Sequence, residues 1–199
     1  MLKIGLTGGV GAGKSRLLAF LQEKYDAFVL KADEVGHIVM EPGMPCYAPV
    51  ISLFGPEIIK TDKTLDRKRI SDVVFAEAEK RQKLNEIIHP AVKDYIQEAL
   101  EKEALAGRKI AVVEAALLLE DHYQDFLDEI WYVYADEQAR IRRLRDARGY
   151  TEEKARSIMA AQMPDEDFRS HADFVIDNSG TPEEAEMQIM ERLNKNEIL

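Results

Sequence analysis

Short apolar runs alternate along this chain with longer segments whose apolar residues recur at helical spacing. Five runs have the length and composition of strands: 3–7, 27–31, 110–117, 129–135 and 173–177. Their continuous apolar character is typical of strands that are covered on both faces. Strands that alternate with helices indicate a parallel sheet. The pattern therefore predicts a three-layer α/β/α fold around a five-stranded parallel sheet.

The connection from 33 to 108 is too long for a simple crossover between two strands. A turn-rich passage comes first, and an apolar stripe at helical spacing then runs from 84 to 100. Pro90 interrupts this stripe. Because proline removes a helical hydrogen bond and disfavours helix at the residue before it, we expect a kink or a new helix start at His89.

A second long connection spans 136–171. Its first helix is predicted to run from 136 to about 148 and to stop at Gly149, a residue type common at helix ends. Another helix is expected to start with Thr151 as its cap and to end before Pro164. The chain thus divides into a core and two helical insertions, 33–108 and 136–171. The core segments are about 1–32, 109–135 and 172–199.

A glycine-rich stretch lies between the first strand and the first helix. It reads Gly8-Gly9-Val10-Gly11-Ala12-Gly13-Lys14-Ser15 and matches G-x-x-x-x-G-K-[ST], a phosphate-binding loop. Glycine permits positive φ and close approach of backbone amides to oxygen atoms, and the following helix N-terminus favours an anion. Lys14 can reach the β- and γ-phosphates, and the Ser15 hydroxyl can ligate Mg²⁺. The flanking strand and helix favour a nucleoside triphosphate site over a glycine-rich turn with a chance lysine.

Composition excludes several other classes of protein. The 199 residues, 46% of them hydrophobic and 32% charged, are typical of one globular domain. The apolar runs are far shorter than the roughly 18 residues of a membrane span, and the net charge of −10 argues against nucleic-acid binding. A single cysteine, Cys46, and the lack of a signal-peptide pattern suit the cytoplasm. A monomer is the favoured oligomeric state.

Two carboxylate residues lie in or directly after predicted strands. Asp33 directly follows the second strand, and because ligands of parallel sheets lie beyond the carboxyl ends of strands, we expect it to face the phosphate loop. There Asp33 has two possible functional roles: it orients or deprotonates an acceptor hydroxyl, or it binds Mg²⁺ through water. The structural alternative is that Asp33 is a helix N-cap. Glu114 lies in the apolar third strand, where an unpaired carboxylate is costly. Glu114 binds either a Mg²⁺-bound water or Ser15, or it pairs with a nearby base.

Five arginines crowd the helix after the fourth strand: Arg140, Arg142, Arg143, Arg145 and Arg148. A mobile guanidinium stabilises the negative charge of a transferring phosphoryl group. We therefore expect one or two of these arginines to be functional and the others to form a solvated face. A phosphate-loop core with two helical insertions is the plan of a small kinase, in which one insertion holds the acceptor and the other closes over the phosphates.

Three further positions carry two interpretations each. His89 either holds the acceptor or is a helix-break histidine that the backbone satisfies. Arg67, within Asp66-Arg67-Lys68-Arg69, either helps to hold an anionic substrate or belongs to the start of a helix. Asn178 follows the last strand, where the loop either wraps an adenine or forms an ordinary turn.

Taken together, these residues resemble the dephospho-coenzyme A (dephospho-CoA) kinase family, and the resemblance covers nearly the whole chain. The matching pieces, in order, are 6–15, Ala32-Asp33, 39–43, Leu65-Asp66-Arg67, Val74-Phe75, 84–90, Ala161-Gln162 and 172–178. The resemblance implies a P-loop NTPase core and ATP-dependent phosphorylation of the ribose 3′-hydroxyl of dephospho-CoA with Mg²⁺. The alternatives are another P-loop nucleoside or small-metabolite kinase and, outside enzymes, a nucleotide-dependent switch.

The resemblance also implies roles for individual residues. Asp33 is implied as the base that faces the 3′-hydroxyl, residues 11–16 as the cradle for ATP, and Arg143 as the first of two lid arginines. The first insertion is implied to hold dephospho-CoA, and the second is implied to be the lid.

Four positions depart from the family pattern. Lys31 replaces an aspartate, Arg16 a threonine, Ala116 a proline, and Ala147 the second lid arginine. Arg145 and Arg148 are the candidate substitutes for the missing lid arginine.

Overall fold

The computed structural model describes residues 1–195 and contains the expected sheet of five strands. They are β1 (Leu2–Thr7), β2 (Phe28–Lys31), β3 (Ile110–Glu114), β4 (Glu129–Tyr134) and β5 (Phe174–Asp177). Their order is β2-β3-β1-β4-β5, with β1 in the centre and parallel to both neighbours. Leu6 of β1 pairs with Glu114 on one side and with Trp131 on the other. The predicted five-stranded parallel α/β fold is confirmed.

The third strand is shorter than its apolar run. β3 ends at Glu114, so the predicted strand 110–117 is wrong over its last three residues. The chain turns after Glu114 and buries Ala115, Leu118 and Leu119. Of the three residues that do not continue the strand, Ala115 is buried, whereas Ala116 and Leu117 are exposed, so an apolar side chain there is no sign of pairing in the sheet.

Nine α-helices occur within residues 1–195. They are α1 (Lys14–Tyr25), α2 (Ala32–Ile38), α3 (Tyr47–Phe54), α4 (Arg67–Ala76), α5 (Ala78–Leu105), α6 (Glu137–Arg148), α7 (Glu152–Ala160), α8 (Asp165–His171) and α9 (Pro182–Lys195). Helices α6 and α7 confirm the two helices predicted within 136–171. Gly149 ends α6 with a φ of 64°, and the Thr151 side chain caps α7 by accepting from the Lys154 amide at 3.2 Å. The short helix α8 is an addition that the sequence pattern does not predict.

Pro90 lies inside α5 and not at a helix boundary, so of the two expectations the new helix start at His89 is wrong, and the kink stays a prediction. A proline in a helix interior costs about 3 kcal/mol or more. The apolar stripe offsets this cost, because Val92, Ile96 and Leu100 are buried on the same helix, and full burial of such side chains contributes roughly 1.5–3 kcal/mol each. Tertiary packing therefore carries the helix across the proline.

The main hydrophobic core lies on the face of the sheet that α1 and α9 cover. Alternate strand residues form its sheet side: Ile4, Leu6, Ile110, Val112, Trp131, Val133 and Ile176. The helices contribute Leu17, Leu18 and Leu21 from α1 and Ala185, Ile189 and Leu193 from α9. Tyr132 alternates with these strand residues, and its ring stacks on Phe168 of α8, with ring centroids 4.9 Å apart. Helices thus pack against both faces of the sheet, as a three-layer fold requires.

The chain forms two compact units, one of Met1–Leu30 with Lys102–Leu199 and one of Lys31–Glu101. The predicted insertion 33–108 overlaps the second unit, and the division into core, substrate-binding insertion and lid stays a prediction. The last four residues of the predicted core segment 172–199 lie outside the described residues. Within the described part of the chain, the helices are too short or too polar to cross a membrane.

Candidate active site

The phosphate loop joins β1 to α1 through backbone conformations that favour glycine. Gly11 and Gly13 have φ values of 76° and 95°, in the region where a Cβ atom is strained. Gly13 is also the N-cap residue of α1. Because glycine has no side chain, the N-cap residue provides no side-chain oxygen to accept hydrogen bonds from the first amides of α1. Such a helix N-terminus is suited to binding an anion.

Lys14 connects the two ends of this loop. Its Nζ donates to the Gly8 carbonyl oxygen at 2.7 Å and lies 3.6 Å from Oε1 of Glu114 at the end of β3. The two charged side chains are only 17% and 18% exposed, so solvent screens their attraction less than at the surface. Of the interpretations of Glu114, pairing with a nearby base is the one that the structure shows. Its binding of a Mg²⁺-bound water stays a prediction.

Ser15 and Arg16 occupy the first turn of α1, and both are exposed. The Arg16 guanidinium lies 3.6 Å from a carboxylate oxygen of Glu183 and 3.7 Å from one of Glu186 on α9. The side chain of Arg16 therefore points to α9, and the backbone of Arg16 is the part that can serve the phosphate cradle. The roles of both residues in binding ATP and metal stay predictions.

The outer side of the loop is held at the Ala12 carbonyl oxygen. This oxygen accepts hydrogen bonds from Nδ2 of Asn178 at 2.7 Å and from Nη1 of Arg143 at 3.2 Å. Nη2 of Arg143 donates to the Asn178 carbonyl oxygen at 2.7 Å. Burial, and then the neighbouring Arg142 charge, lower the pKa of the Arg143 guanidinium. Asn178 is itself buried, so the loop after β5 is more than an ordinary turn.

Two of the five arginines on α6 contact the phosphate loop. Arg143 binds Ala12, and Arg140 donates from Nε to the Val10 carbonyl oxygen at 2.9 Å. The other three, Arg142, Arg145 and Arg148, are exposed. Two arginines therefore lie at the loop and three on a solvated face, and which of them are functional stays a prediction. Whether Arg145 or Arg148 replaces the missing second lid arginine stays an open prediction.

Asp33 lies in the second unit of the chain, two residues after the end of β2. It is exposed and occupies the first turn of α2. The N-cap of α2 is Lys31, so the alternative interpretation of Asp33 as an N-cap is wrong. The prediction that its carboxylate faces the phosphate loop stays a prediction.

The other two predicted acceptor residues also belong to the second unit. Asp66 caps α4 by accepting from the Arg69 amide at 3.1 Å, so this tetrad does open a helix. Arg67 and Lys68 are exposed there and line a cavity of about 300 Å³. His89 lies half-buried inside the continuous helix α5, which excludes the helix-break interpretation.

Sequence reasoning assigned no role to Gln162, although the structure places it against the phosphate loop. Its Oε1 accepts from the Val10 amide at 2.9 Å. The only sequence signal was the Ala161-Gln162 pair, which lies in the connection between α7 and α8. Neither hydropathy nor spacing indicates which backbone group such an amide side chain will bind, because the contact joins residues 152 positions apart.

Comparisons with known proteins identify the family of this chain. The family model for dephospho-CoA kinase (CoaE) matches residues 2–184. A dephospho-CoA kinase of Shouchella clausii is 38% identical over 194 residues, which cover 98% of each chain. One of Geobacillus kaustophilus is 40% identical over 191 residues, which cover 95% of this chain and 94% of the relative. The crystal structure of TT1252 from Thermus thermophilus has a TM-score of 0.80 and 28% identity, over 98% of this chain and 97% of that one. This chain therefore belongs to the dephospho-CoA kinase family.

Proposed function

We propose that this protein transfers the γ-phosphoryl group of ATP to the ribose 3′-hydroxyl of dephospho-CoA, which yields CoA and ADP. The observation that carries the proposal is the family match over residues 2–184, because it spans both the phosphate loop and the insertion 33–108. A phosphate loop alone would not specify the acceptor, since kinases for many substrates share this core.

The phosphate loop supports the donor half of the reaction. We assign the backbone amides of residues 11–16 and the N-terminus of α1 to the phosphates of ATP. Lys14 is assigned to the β- and γ-phosphates. Its ammonium group already lies across the loop at Gly8 and is largely shielded from water. A charge held in place in this way needs little reorganisation to stabilise the negative oxygens of the transferred group.

Mg²⁺ is the proposed metal, with Ser15 as its protein ligand. Mg²⁺ typically keeps several waters and binds substrate phosphates with one or two protein ligands. The Ser15 hydroxyl fits this need, because it is an exposed oxygen donor beside Lys14. Across residues 1–195 there is no group of three or more His, Cys, Asp or Glu residues that could hold a metal alone. The metal would neutralise phosphate charge, and Glu114 or Asp33 would bind one of its waters.

Asp33 is the proposed base in the acceptor half. As the 3′-oxygen of the ribose forms its bond to the γ-phosphorus, the bond between that phosphorus and the bridging oxygen of ADP breaks. The hydroxyl proton passes to the Asp33 carboxylate. Its position just after β2 supports this role, since the carboxyl ends of parallel strands are where ligands bind. Arg67 and His89 are assigned to holding dephospho-CoA.

Arg143 is the proposed arginine of phosphoryl transfer. It is already hydrogen-bonded to the loop at Ala12, and its guanidinium keeps its charge because Arg pKa values lie far above neutral pH. We assign it to stabilising the negative charge that develops on the phosphates. Closure of the lid would exclude water, which is the competing acceptor.

We also infer a monomeric cytoplasmic enzyme that binds neither nucleic acid nor membrane. The net charge of −10 and the single cysteine support this inference. Because the protein is acidic overall, its polyanionic substrates must be attracted by a local positive site and not by the whole surface.

Two substitutions separate the donor and acceptor roles. Lys14→Ala is expected to weaken ATP binding and to lower kcat, because it removes the charge at the phosphates. Asp33→Asn is expected to leave the Kd for ATP nearly unchanged while kcat falls by roughly 10²–10⁴-fold, the range for loss of a general base. A coupled ADP-release assay with dephospho-CoA and ATP measures kcat, and Asp94→Asn, an exposed carboxylate on α5, is the matched control.

The same assay tests the substrate. We expect turnover with dephospho-CoA and little with AMP, deoxyadenosine or shikimate. Faster turnover with one of these other acceptors would replace the proposed function by another small-metabolite kinase. Near-normal kcat in Asp33→Asn would remove Asp33 from the mechanism without affecting the substrate assignment.

A further inference from the structure

Both backbone polar groups of Val10 are bound by side chains from outside the phosphate loop. The Val10 amide donates to Oε1 of Gln162 at 2.9 Å, and Nε of Arg140 donates to the Val10 carbonyl oxygen at 2.9 Å. The ring is closed by Nη2 of Arg140, which donates to the same Oε1 of Gln162 at 2.8 Å. All three residues are partly buried. We call this arrangement of Val10, Arg140 and Gln162 the Val10 clamp.

The clamp acts between two other points at which the loop is held, the Gly8 carbonyl oxygen, bound by Lys14, and the Ala12 carbonyl oxygen, bound by Asn178 and Arg143. Residues 8–13 belong to neither β1 nor α1, and glycine occupies four of these six positions. Glycine populates many backbone conformations, so a glycine-rich loop loses much entropy when it adopts one of them. Side chains that bind Val10 on both sides reduce that freedom. They do so directly before Gly11, the first residue of the proposed ATP cradle.

Arg140 also fills the space beside Gly9. A Cβ atom added to Gly9 would meet the Arg140 guanidinium at close range. Added to Gly11, a Cβ would lie 3.0 Å from the Arg140 carbonyl oxygen and 3.1 Å from Cγ of Leu144. Helix α6 therefore packs tightly against two of the loop glycines as well as binding Val10.

Gln162 is itself held in place by the sheet. The connection that carries it leads into α8, and the first residue of α8, Asp165, accepts a 2.6 Å hydrogen bond from the Tyr132 hydroxyl on β4. The backbone amide of Gln162 donates to the Met159 carbonyl oxygen at 3.2 Å, at the end of α7. The acceptor oxygen for the Val10 amide thus comes from a segment that is attached at both ends.

We propose that Gln162 and Arg140 are positioning residues for ATP. By fixing Val10, they hold the amides of residues 11–16 in the arrangement that receives the triphosphate. This inference rests on the proposed function for the identity of the nucleotide. It requires neither residue to touch ATP. Loss of the clamp should therefore lower the affinity for ATP through the entropy of the loop.

The chemistry of the clamp provides a conservative variant. Both hydrogen bonds to Gln162 end on its Oε1, and none of the hydrogen bonds described above uses its amide nitrogen. A glutamate at this position keeps an acceptor oxygen for the Val10 amide and forms a charge-assisted bond with Arg140. Gln162→Glu should thus retain the clamp, whereas Gln162→Ala removes both bonds.

The experiment measures ATP binding by titration calorimetry, the KM for ATP and kcat in the dephospho-CoA assay, and Tm without nucleotide. For Gln162→Ala we expect the Kd and the KM for ATP to rise about tenfold, equivalent to about 1.4 kcal/mol, with a smaller change in kcat. Gln162→Glu should stay within about threefold of the wild type. The matched control is Gln138→Ala, which truncates an exposed glutamine on α6.

A second test does not depend on the folding of one variant. Arg140→Ala breaks the clamp from its other side and should raise the Kd for ATP in the same direction. Because both substitutions remove one shared arrangement, the Kd of the double variant for ATP should be little higher than the Kd of whichever single variant binds ATP less tightly. Fully additive losses of affinity would show two independent effects and would overturn the clamp.

The remaining outcomes separate the clamp from a purely structural role. A Gln162→Ala protein with a lower Tm and an unchanged Kd for ATP would overturn the proposal, as would a Gln162→Glu protein that is as impaired as Gln162→Ala. A wild-type protein that binds ATP but does not phosphorylate dephospho-CoA would refute the proposed function alone. In that case weaker ATP binding by Gln162→Ala would still support the clamp.

Discussion

Removing both donors to the Ala12 carbonyl oxygen should cost more stability than the sum of removing each one. Asn178→Ala deletes the 2.7 Å bond from Nδ2, while Nη1 of Arg143 still donates at 3.2 Å. A net hydrogen bond contributes about 1 kcal/mol, so this variant should lose about that much free energy of unfolding. Arg143→Ala deletes that second donor and the bond to the Asn178 carbonyl oxygen, which should cost about 2 kcal/mol.

The double variant differs from both singles because it leaves the Ala12 oxygen without either donor. Ala12 is only 1% exposed, so water cannot easily replace the lost partners. An unsatisfied buried acceptor costs about 1–3 kcal/mol beyond the lost bonds. We therefore expect a total loss of about 4–6 kcal/mol, of which about 1–3 kcal/mol is coupling between the two sites.

Urea unfolding without nucleotide measures these free energies. The only tryptophan, Trp131, is fully buried on β4 and gives a fluorescence signal for the core. Asn194→Ala, near the end of α9, is the matched control, because an exposed asparagine should change stability by less than about 0.5 kcal/mol. Additivity of the two losses within about 0.5 kcal/mol would refute the reasoning, since it would mean that the Ala12 oxygen is not left unsatisfied.

Two further predictions use the loop glycines and the tyrosine on β4. Gly13→Ala should lower ATP affinity at least about tenfold, because φ is 95° and the new Cβ meets Nδ2 of Asn178. The control Gly43→Ala has a φ of 89° and nothing within 4 Å of its Cβ, so it should bind ATP normally. Equal ATP affinities of the two variants would contradict this prediction. Burial, and then the bond to Asp165, raise the pKa of the Tyr132 hydroxyl. As the pH rises above about 10, where a free tyrosine ionises, the Tm of the wild type should therefore fall more steeply than the Tm of Tyr132→Phe. Parallel profiles of Tm against pH would refute this prediction.

The sign of the tyrosine effect follows from the direction of its pKa shift. A hydroxyl whose folded pKa lies above its unfolded value stabilises the fold fully below the unfolded pKa, and this contribution disappears as the pH rises above it. Tyr132→Phe keeps the ring that stacks on Phe168 and loses only the hydroxyl. Below about pH 9 the variant should thus be less stable by about 1 kcal/mol, the contribution of one hydrogen bond.

Local sequence determined the elements of the fold and the donor half of the site. Hydrophobic runs indicated all five strands because burial on both faces demands apolar side chains along the whole strand. The phosphate loop was recognisable because each of its residue types meets a local need: glycine for positive φ at Gly11 and Gly13, and a lysine at the helix start. The predicted boundaries were wrong at two places. After Glu114 the apolar residues continue although the strand has ended, and at Pro90 the buried apolar stripe of α5 continues the helix past the proline.

Only the tertiary structure decided how the loop is held from outside. The contacts of Val10 with Gln162, of Ala12 with Asn178 and of Lys14 with Glu114 join residues that are 152, 166 and 100 positions apart along the chain. Hydropathy and spacing report on neighbours within one element, and they carry no information about which polar groups meet across elements. Those pairings follow from the order β2-β3-β1-β4-β5 and from the packing of α6 on the loop, because only the assembled sheet brings the ends of its strands to one edge.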